Sequence, residues 1–250
     1  AHSVLGEINN PKYTYKIAAK LGSQLKHIGI NLDFAPVADT LKTSANSMIG
    51  DRSFSGDARI VMRHSFMFYQ GLADNGIISC PKHFPGCGDT TQDLHKGIFV
   101  SNLKISDLIK FDLPIYLQMI KFGCHAIMVG HNSFKHITER KNIEGRQFYM
   151  PASLSHNIIT GLLRRRLRYK NLIITDSLRM SAITNIFESS SAAQTALTAG
   201  VDILLMPANF YEVVERLNSI VNGNLPKYRR LKKQIFYALN RIQKVKNILT

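Results

Sequence analysis

An α/β fold with parallel strands is predicted by three features of this 250-residue sequence. Short runs rich in Ile, Leu and Val alternate with longer helical stretches. The runs lack the apolar–polar alternation of a half-exposed strand, and so read as strands buried on both faces. Each run ends on polar residues, and polar groups gathered at the C-terminal ends of successive strands mark the mouth of a (β/α)8 barrel.

The predicted strands are Asn31–Val37, Gly76–Pro81, Ala126–Gly130, Asn171–Thr175 and Asp202–Met206. Helices are predicted over Thr14–His27, Ala58–Asn75, Ser106–Lys121, Leu154–Leu167, Ser189–Ala199, Tyr211–Ile220 and Tyr228–Ile248. In the last of these, Leu231, Ile235, Leu239, Ile242 and Val245 recur at helical spacing with Lys and Arg between them. The expectation is therefore a TIM-barrel type of fold with about five of the eight βα units in this chain. A doubly wound sheet also places its site at strand ends, but it calls for a glycine-rich phosphate loop, and the sequence has no G-x-G-x-x-G.

Composition narrows the function classes. A chain that is 45% hydrophobic and 250 residues long suits one large core. No Pro/Gly/Ser-rich linker divides it, so residues 1–250 are expected to form a single domain. No apolar run is long enough for a bilayer, and the first residues lack a signal-peptide pattern, so no membrane partner is expected. The chain opens on Ala rather than Met, which weakens that second point. Cys80, Cys87 and Cys124 are too few and too scattered for a disulfide framework or a zinc motif. They fit a reducing, cytoplasmic compartment, and neither metal nor cofactor is expected. The net charge of +15 admits a nucleic-acid partner. The basic residues are spread over helices, including Arg164–Arg166 and Lys227–Lys246, and so read as solvated faces rather than a specific nucleic-acid surface.

The chemistry concentrates in Lys82-His83-Phe84-Pro85-Gly86-Cys87-Gly88-Asp89-Thr90-Thr91-Gln92-Asp93-Leu94-His95. Loops held by a rigid scaffold are where function collects. Lys82 and His83 follow a buried strand and are placed to donate hydrogen bonds to a hydroxylated or acylated ligand, or His83 bonds a neighbouring strand. Asp93 and His95 are spaced so that the carboxylate can fix the imidazole tautomer and raise its basicity. Cys87 has no base paired with it by spacing. Asp176 follows Leu172-Ile173-Ile174-Thr175 and reads either as a helix cap or as a carboxylate aimed from a strand end into a site. Arg52 follows Asp51 and either pairs with a nearby aspartate or binds a ligand. Asp33 and Asp39 flank Phe34-Ala35-Pro36-Val37 and shape that loop. His131 ends the third strand, where it lines a pocket or bonds a loop carbonyl.

Taken in order, Asn31-Leu32-Asp33-Phe34-Ala35-Pro36-Val37-Ala38-Asp39, Gly50-Asp51-Arg52-Ser53-Phe54, Lys82-His83-Phe84-Pro85-Gly86 with Asp93-Leu94-His95, and Thr175-Asp176-Ser177-Leu178-Arg179-Met180 resemble one family. The pattern is that of the glycoside hydrolase family 3 β-N-acetylglucosaminidases, bacterial enzymes that recycle peptidoglycan. The resemblance runs from near residue 1 to at least Met206. It implies a (β/α)8 barrel in which Asp176 is the nucleophile and His95, oriented by Asp93, is the general acid/base. It implies further that Arg52, Lys82 and His83 hold the N-acetylglucosamine of a muropeptide substrate; His131, from its place at the strand end, is counted with them as a pocket residue. A retaining glycosidase needs a nucleophile and a proton donor that later activates water. An imidazole with an ordinary pKa of about 6.5 can serve in that second role.

The sequence departs from the family pattern at Cys87, where members usually have histidine, and at Leu94, where they usually have serine. Members also begin with about three further strand units, one carrying an Asp-Gln-Glu-Gly-Gly-Arg-like loop that this sequence lacks. The chain is therefore expected to be an N-terminally incomplete form of a monomeric β-N-acetylhexosaminidase. The other readings are a sugar-binding barrel without turnover and, less favoured, a β-glucosidase of the same family.

Overall fold

The computed structural model describes residues 1–91, 97–143, 145–223 and 225–249. Among these, the chain forms two compact units, one from the described parts of residues 1–92 and 103–130 and one from those of 93–102 and 131–248.

The first unit begins with helix α1 (His2–Ile8), which the apolar pattern had not suggested. Helix α2 (Pro11–His27) starts three residues earlier than predicted. Asn10 caps it by accepting from the Tyr13 amide, and Pro11 occupies the first turn, where a missing N–H costs nothing. Helix α3 (Ala58–Ala73) is capped by Asp57. It lies so close to α2 that a Cβ at Gly71 would stand 2.7 Å from both the Ala18 Cβ and the Tyr15 carbonyl oxygen. The stretch predicted as one helix over 106–121 is two, α4 (Ile105–Phe111) and α5 (Leu113–Lys121). Pro114 accounts for the break, since it cannot donate backward and its ring crowds the carbonyl of residue 110.

Strand segments around Leu32–Asp33, Ile78–Ser79 and Ala126–Val129 lie in this unit. Leu32 and Asp33 pair in parallel with Ile78 and Ser79, but further along Val37, not Pro36, faces Lys82. One extra residue therefore bulges on the first strand. The amides of Cys80 and Lys82 donate to the carbonyls of Asp33 and Pro36, which leaves the Ala35 carbonyl out of the ladder. The Ser79 hydroxyl fills that gap, donating to it at 2.6 Å. Phe84 in turn bridges Val129 in parallel. Residues 126–129 are buried throughout, as a two-face-buried strand requires.

At the junction of α4 and α5, the Lys42 ammonium donates to both Asp112 oxygens, at 2.7 and 2.6 Å. Burial pushes the Asp112 carboxyl up to about 6, with Lys42 opposing the rise. A carboxyl raised in the fold adds stability that is complete below its unfolded value near 3.8 and is lost as pH climbs through about 6. An Asp112→Asn variant should therefore gain on the wild type by about 3 kcal/mol between those limits. Paired denaturant titrations at pH 4 and pH 7 would show it; a constant difference would mean Asp112 titrates normally.

The second unit contains the buried strand Leu172–Thr175, whose Ile174 bridges Ile203 in parallel. Of the strand predicted over Asp202–Met206, only that bridge forms. Val100–Ser101 pairs in parallel with Ser133–Phe134. Arg140–Ile143 and Arg146–Tyr149 form an antiparallel hairpin, which was not predicted because its sequence is polar and basic. The predicted helix over 154–167 resolves into a 3-10 turn, Ala152–Leu154, and a π-helical stretch, Asn157–Arg166. Its start is held by Glu139, which accepts from the Asn157 amide at 2.9 Å and the Ser155 hydroxyl at 2.5 Å.

Helices α6 (Ser181–Thr184), α7 (Ser189–Ala199), α8 (Phe210–Asn222) and α9 (Arg229–Leu249) complete the unit. Leu197, Ile220 and Leu231 anchor a cluster with Leu217 and Ile235. The buried seam of α9 is Leu231, Ala238 and Val245, whereas Leu239, predicted to face the core, is 58% exposed. A seven-residue step keeps one narrow line on a helix, and the eight-residue step from Leu231 to Leu239 falls off it. Among the described residues no helix is long and apolar enough to cross a membrane.

Candidate active site

In the first unit the site is organised around Asp39, a fully buried carboxylate just past the first strand. Its Oδ2 accepts from the His83 amide at 3.2 Å and meets His83 Nδ1 at 2.8 Å. Its Oδ1 accepts from the Cys87 amide at 2.7 Å. A carboxylate can only accept here, so Nδ1 carries the hydrogen and a neutral His83 ring keeps Nε2 as its acceptor. The sequence reading gave Asp39 only a loop-shaping part. The structure makes it the shared acceptor that fixes both the His83 ring and the turn holding Cys87.

That turn leaves no slack. Asn46 donates from Nδ2 to the Cys87 carbonyl at 2.8 Å. A Cβ at Gly88 would fall 1.6 Å from the Thr40 carbonyl oxygen, so only glycine permits this approach.

Arg52 and Lys82 line one cavity of about 480 Å3, together with Asp51, His2, Phe34 and Val37. Arg52 sits in a short 3-10 turn, Gly50–Arg52, and donates to the Met48 carbonyl at 3.1 Å. The His2 ring stacks on Phe54 with centroids 4.3 Å apart, and its Nδ1 meets the Arg52 carbonyl at 3.0 Å. Burial drives that imidazole down to about 4, so it is neutral at pH 7. Burial also raises the Asp33 carboxyl, with the Lys82 charge working against it. Guanidinium and ammonium groups are donors only, so the cavity suits hydroxyl and acyl oxygens. Three of the predicted binding residues thus belong to one unit: Arg52 and Lys82 at the cavity, and His83 buried on Asp39.

In the second unit Asp176 stands directly after the strand Leu172–Thr175, partly exposed. Its Oδ1 accepts from the Ser177 amide at 2.7 Å. The strand end is fixed by Thr175, whose Oγ1 accepts from the Leu205 amide at 3.0 Å. A carboxylate on a rigid strand terminus can act as nucleophile or stabilise a developing positive charge. His131 is fully buried. Its Nε2 meets the Ser177 carbonyl at 2.8 Å and its Nδ1 meets the Ser153 hydroxyl at 2.7 Å. A carbonyl only accepts, so Nε2 carries the hydrogen. Of the two parts open to His131 in the sequence, this is the bond to a loop carbonyl, bracing the segment after Asp176. Asp93 and His95 lie outside the described residues.

The family model for the glycosyl hydrolase family 3 N-terminal domain matches residues 1–245. The chain is 34% identical over 198 residues to the β-hexosaminidase A of Pseudoalteromonas piscicida, covering 78% of this chain and 33% of that protein. It is 34% identical over 223 residues to the β-hexosaminidase LpqI of Mycobacterium bovis, covering 84% and 54%. It also resembles the solved glycoside hydrolase family 3 β-N-acetylglucosaminidase of a Paenibacillus species, with a TM-score of 0.89 and 29% identity over all of this chain and 46% of that one. The chain thus spans between a third and a little over half of these curated relatives. The α/β fold is of the TIM-barrel type expected from the strand–helix alternation. With a match along nearly its whole length, the chain belongs to glycosyl hydrolase family 3, in the family's N-terminal domain.

Proposed function

We propose that the protein hydrolyses terminal, non-reducing β-linked N-acetylglucosamine with retention of configuration. The observation that carries this reading is Asp176, a partly exposed carboxylate at a strand end, in a chain 34% identical to β-hexosaminidases. In this mechanism the Asp176 carboxylate attacks the anomeric carbon and forms a glycosyl-enzyme ester. His95, oriented by Asp93, protonates the departing oxygen and then takes a proton from the incoming water. Arg52, Lys82 and His83 bind the sugar's hydroxyl and acyl oxygens, and His131 holds the loop behind the nucleophile. Residues 1–250 act as one catalytic domain.

The substrates in this reading are peptidoglycan-derived muropeptide fragments, and the setting is the cytoplasm, where wall material is recycled. Three cysteines, with no disulfide among the described residues, suit a reducing compartment. The enzyme works as a monomer, without cofactor or nucleic acid.

The deciding experiment is turnover of a nitrophenyl N-acetyl-β-glucosaminide by the 250-residue chain, with proton NMR of the first-formed sugar. Release of the β-anomer supports the reading. First release of the α-anomer refutes retention, and a folded chain that binds the sugar without cleaving it would be a sugar-binding barrel.

A further inference from the structure

We propose that Asp39, His83 and Cys87 form a binding site for a zinc-like divalent cation. A carboxylate oxygen, an imidazole nitrogen and a thiol sulfur from these residues lie within 4.8 Å of one another. The residues are 0%, 5% and 1% exposed, so the cluster is sheltered from bulk water. They stand far apart in sequence, which is why spacing offered no metal motif.

The site suits a cation of this class in its donors, its charge and its frame. The donor set is one oxygen, one nitrogen and one sulfur, which suits zinc or cadmium and does not suit magnesium or calcium. The charges close: a divalent ion with the Asp39 carboxylate and a Cys87 thiolate is neutral, so its burial leaves no uncompensated charge. The frame is already built, because Asp39 accepts from the backbone amides of both His83 and Cys87. A tetrahedral zinc holds its ligand atoms roughly 3.3–3.7 Å apart, given bonds of about 2.0–2.3 Å. Asp39 Oδ2 and His83 Nδ1, now 2.8 Å apart, must open by about half an ångström to admit the ion, and the Cys87 sulfur, within 4.8 Å of both side chains' ligand atoms, must close to that spacing.

The proton balance follows. The ion takes the Nδ1 lone pair, so the hydrogen now on Nδ1 moves to Nε2. The thiol gives its proton to solvent. One proton is released per ion bound to a neutral His83, and apparent affinity rises about tenfold per pH unit while the thiol is protonated. Since His83 adjoins Lys82, the bound ion would act as an inhibitor of sugar binding. That consequence alone rests on the glycosidase reading; the binding does not.

The test is a cadmium titration of the full chain without substrate, read by the thiolate-to-cadmium charge-transfer absorption in the ultraviolet, with circular dichroism confirming the fold of each variant. One equivalent is expected to saturate the band. Cys87→Ser should abolish the band and weaken binding at least tenfold. His83→Gln should weaken binding about tenfold or more while the saturated band remains. No band from the folded wild-type chain would overturn the site, as would a band that persists in Cys87→Ser or an affinity unchanged in His83→Gln. Inhibition of sugar turnover is measured separately, so failure of the activity leaves the cadmium result standing.

Discussion

Replacing Asp176 by alanine is expected to lower kcat on an aryl N-acetyl-β-glucosaminide by at least about 10³-fold, the scale lost when a covalent nucleophile is removed. The fold should be little affected. Asp176 is partly exposed, and one hydrogen bond it accepts comes from the adjacent Ser177 amide. A change at such a position is expected to cost no more than the roughly 1 kcal/mol typical of single substitutions. Steady-state kinetics beside thermal unfolding separate the possibilities. A residue that merely bound the sugar would raise KM and leave kcat in place. That outcome would remove Asp176 from the reacting atoms.

The largest expected effect on stability belongs to Asp202. Its side chain is fully buried, and both oxygens are engaged by arginines, Oδ2 by Arg164 and Oδ1 by Arg241 at 2.6 Å. Oδ2 also accepts from the Ile173 amide at 2.8 Å. One carboxylate thus ties the strand Leu172–Thr175 to the π-helical stretch and to α9. Burial pulls the Arg164 guanidinium below its ordinary range, and Asp202 resists that fall. Asp202→Ala leaves two cations without their counter-charge, and breaking such a buried group costs about 3–5 kcal/mol. For a chain of this size that corresponds to a fall in Tm of roughly 6–20 °C. Asp57→Ala, at a pair whose Arg59 side chain is 85% exposed, should cost far less, mostly as a lost helix cap. Equal losses in the two variants would refute the ranking.

The same ion cluster shows where the sequence misled. The basic runs were read as solvated faces, and for Arg165, Arg166, Lys233 and Lys244 they are. Arg164 and Arg241 belong to the same runs but turn inward, because a single acid 38 residues from one and 39 from the other needs both. Charge count cannot reveal such a partner. The strand–helix alternation was legible because burial on both faces forces a continuous apolar run, as in Ala126–Val129 and Leu172–Thr175. The hairpin over Arg140–Tyr149 was not, since its stability comes from pairing rather than an apolar pattern. Among the candidate residues, Lys82, Arg52 and Asp176 announced themselves by standing at strand ends or in a glycine-broken turn. Asp39 stood at a strand end too, yet its importance depends on two amides more than 40 positions away.

The bulge before Val37 gives this part of the chain a strict sense of counting. In a regular ladder Pro36 would face Lys82; the extra residue hands that position to Val37 and brings Asp39 to the His83 ring. Loss of one residue between Phe34 and Pro36 would keep the carboxylate, the imidazole and the thiol in the molecule while moving them out of phase. Evolution can therefore trade side chains here more easily than it can change length. Natural and engineered variants of this segment should accordingly accumulate substitutions and resist deletions, even deletions that spare every chemically active group.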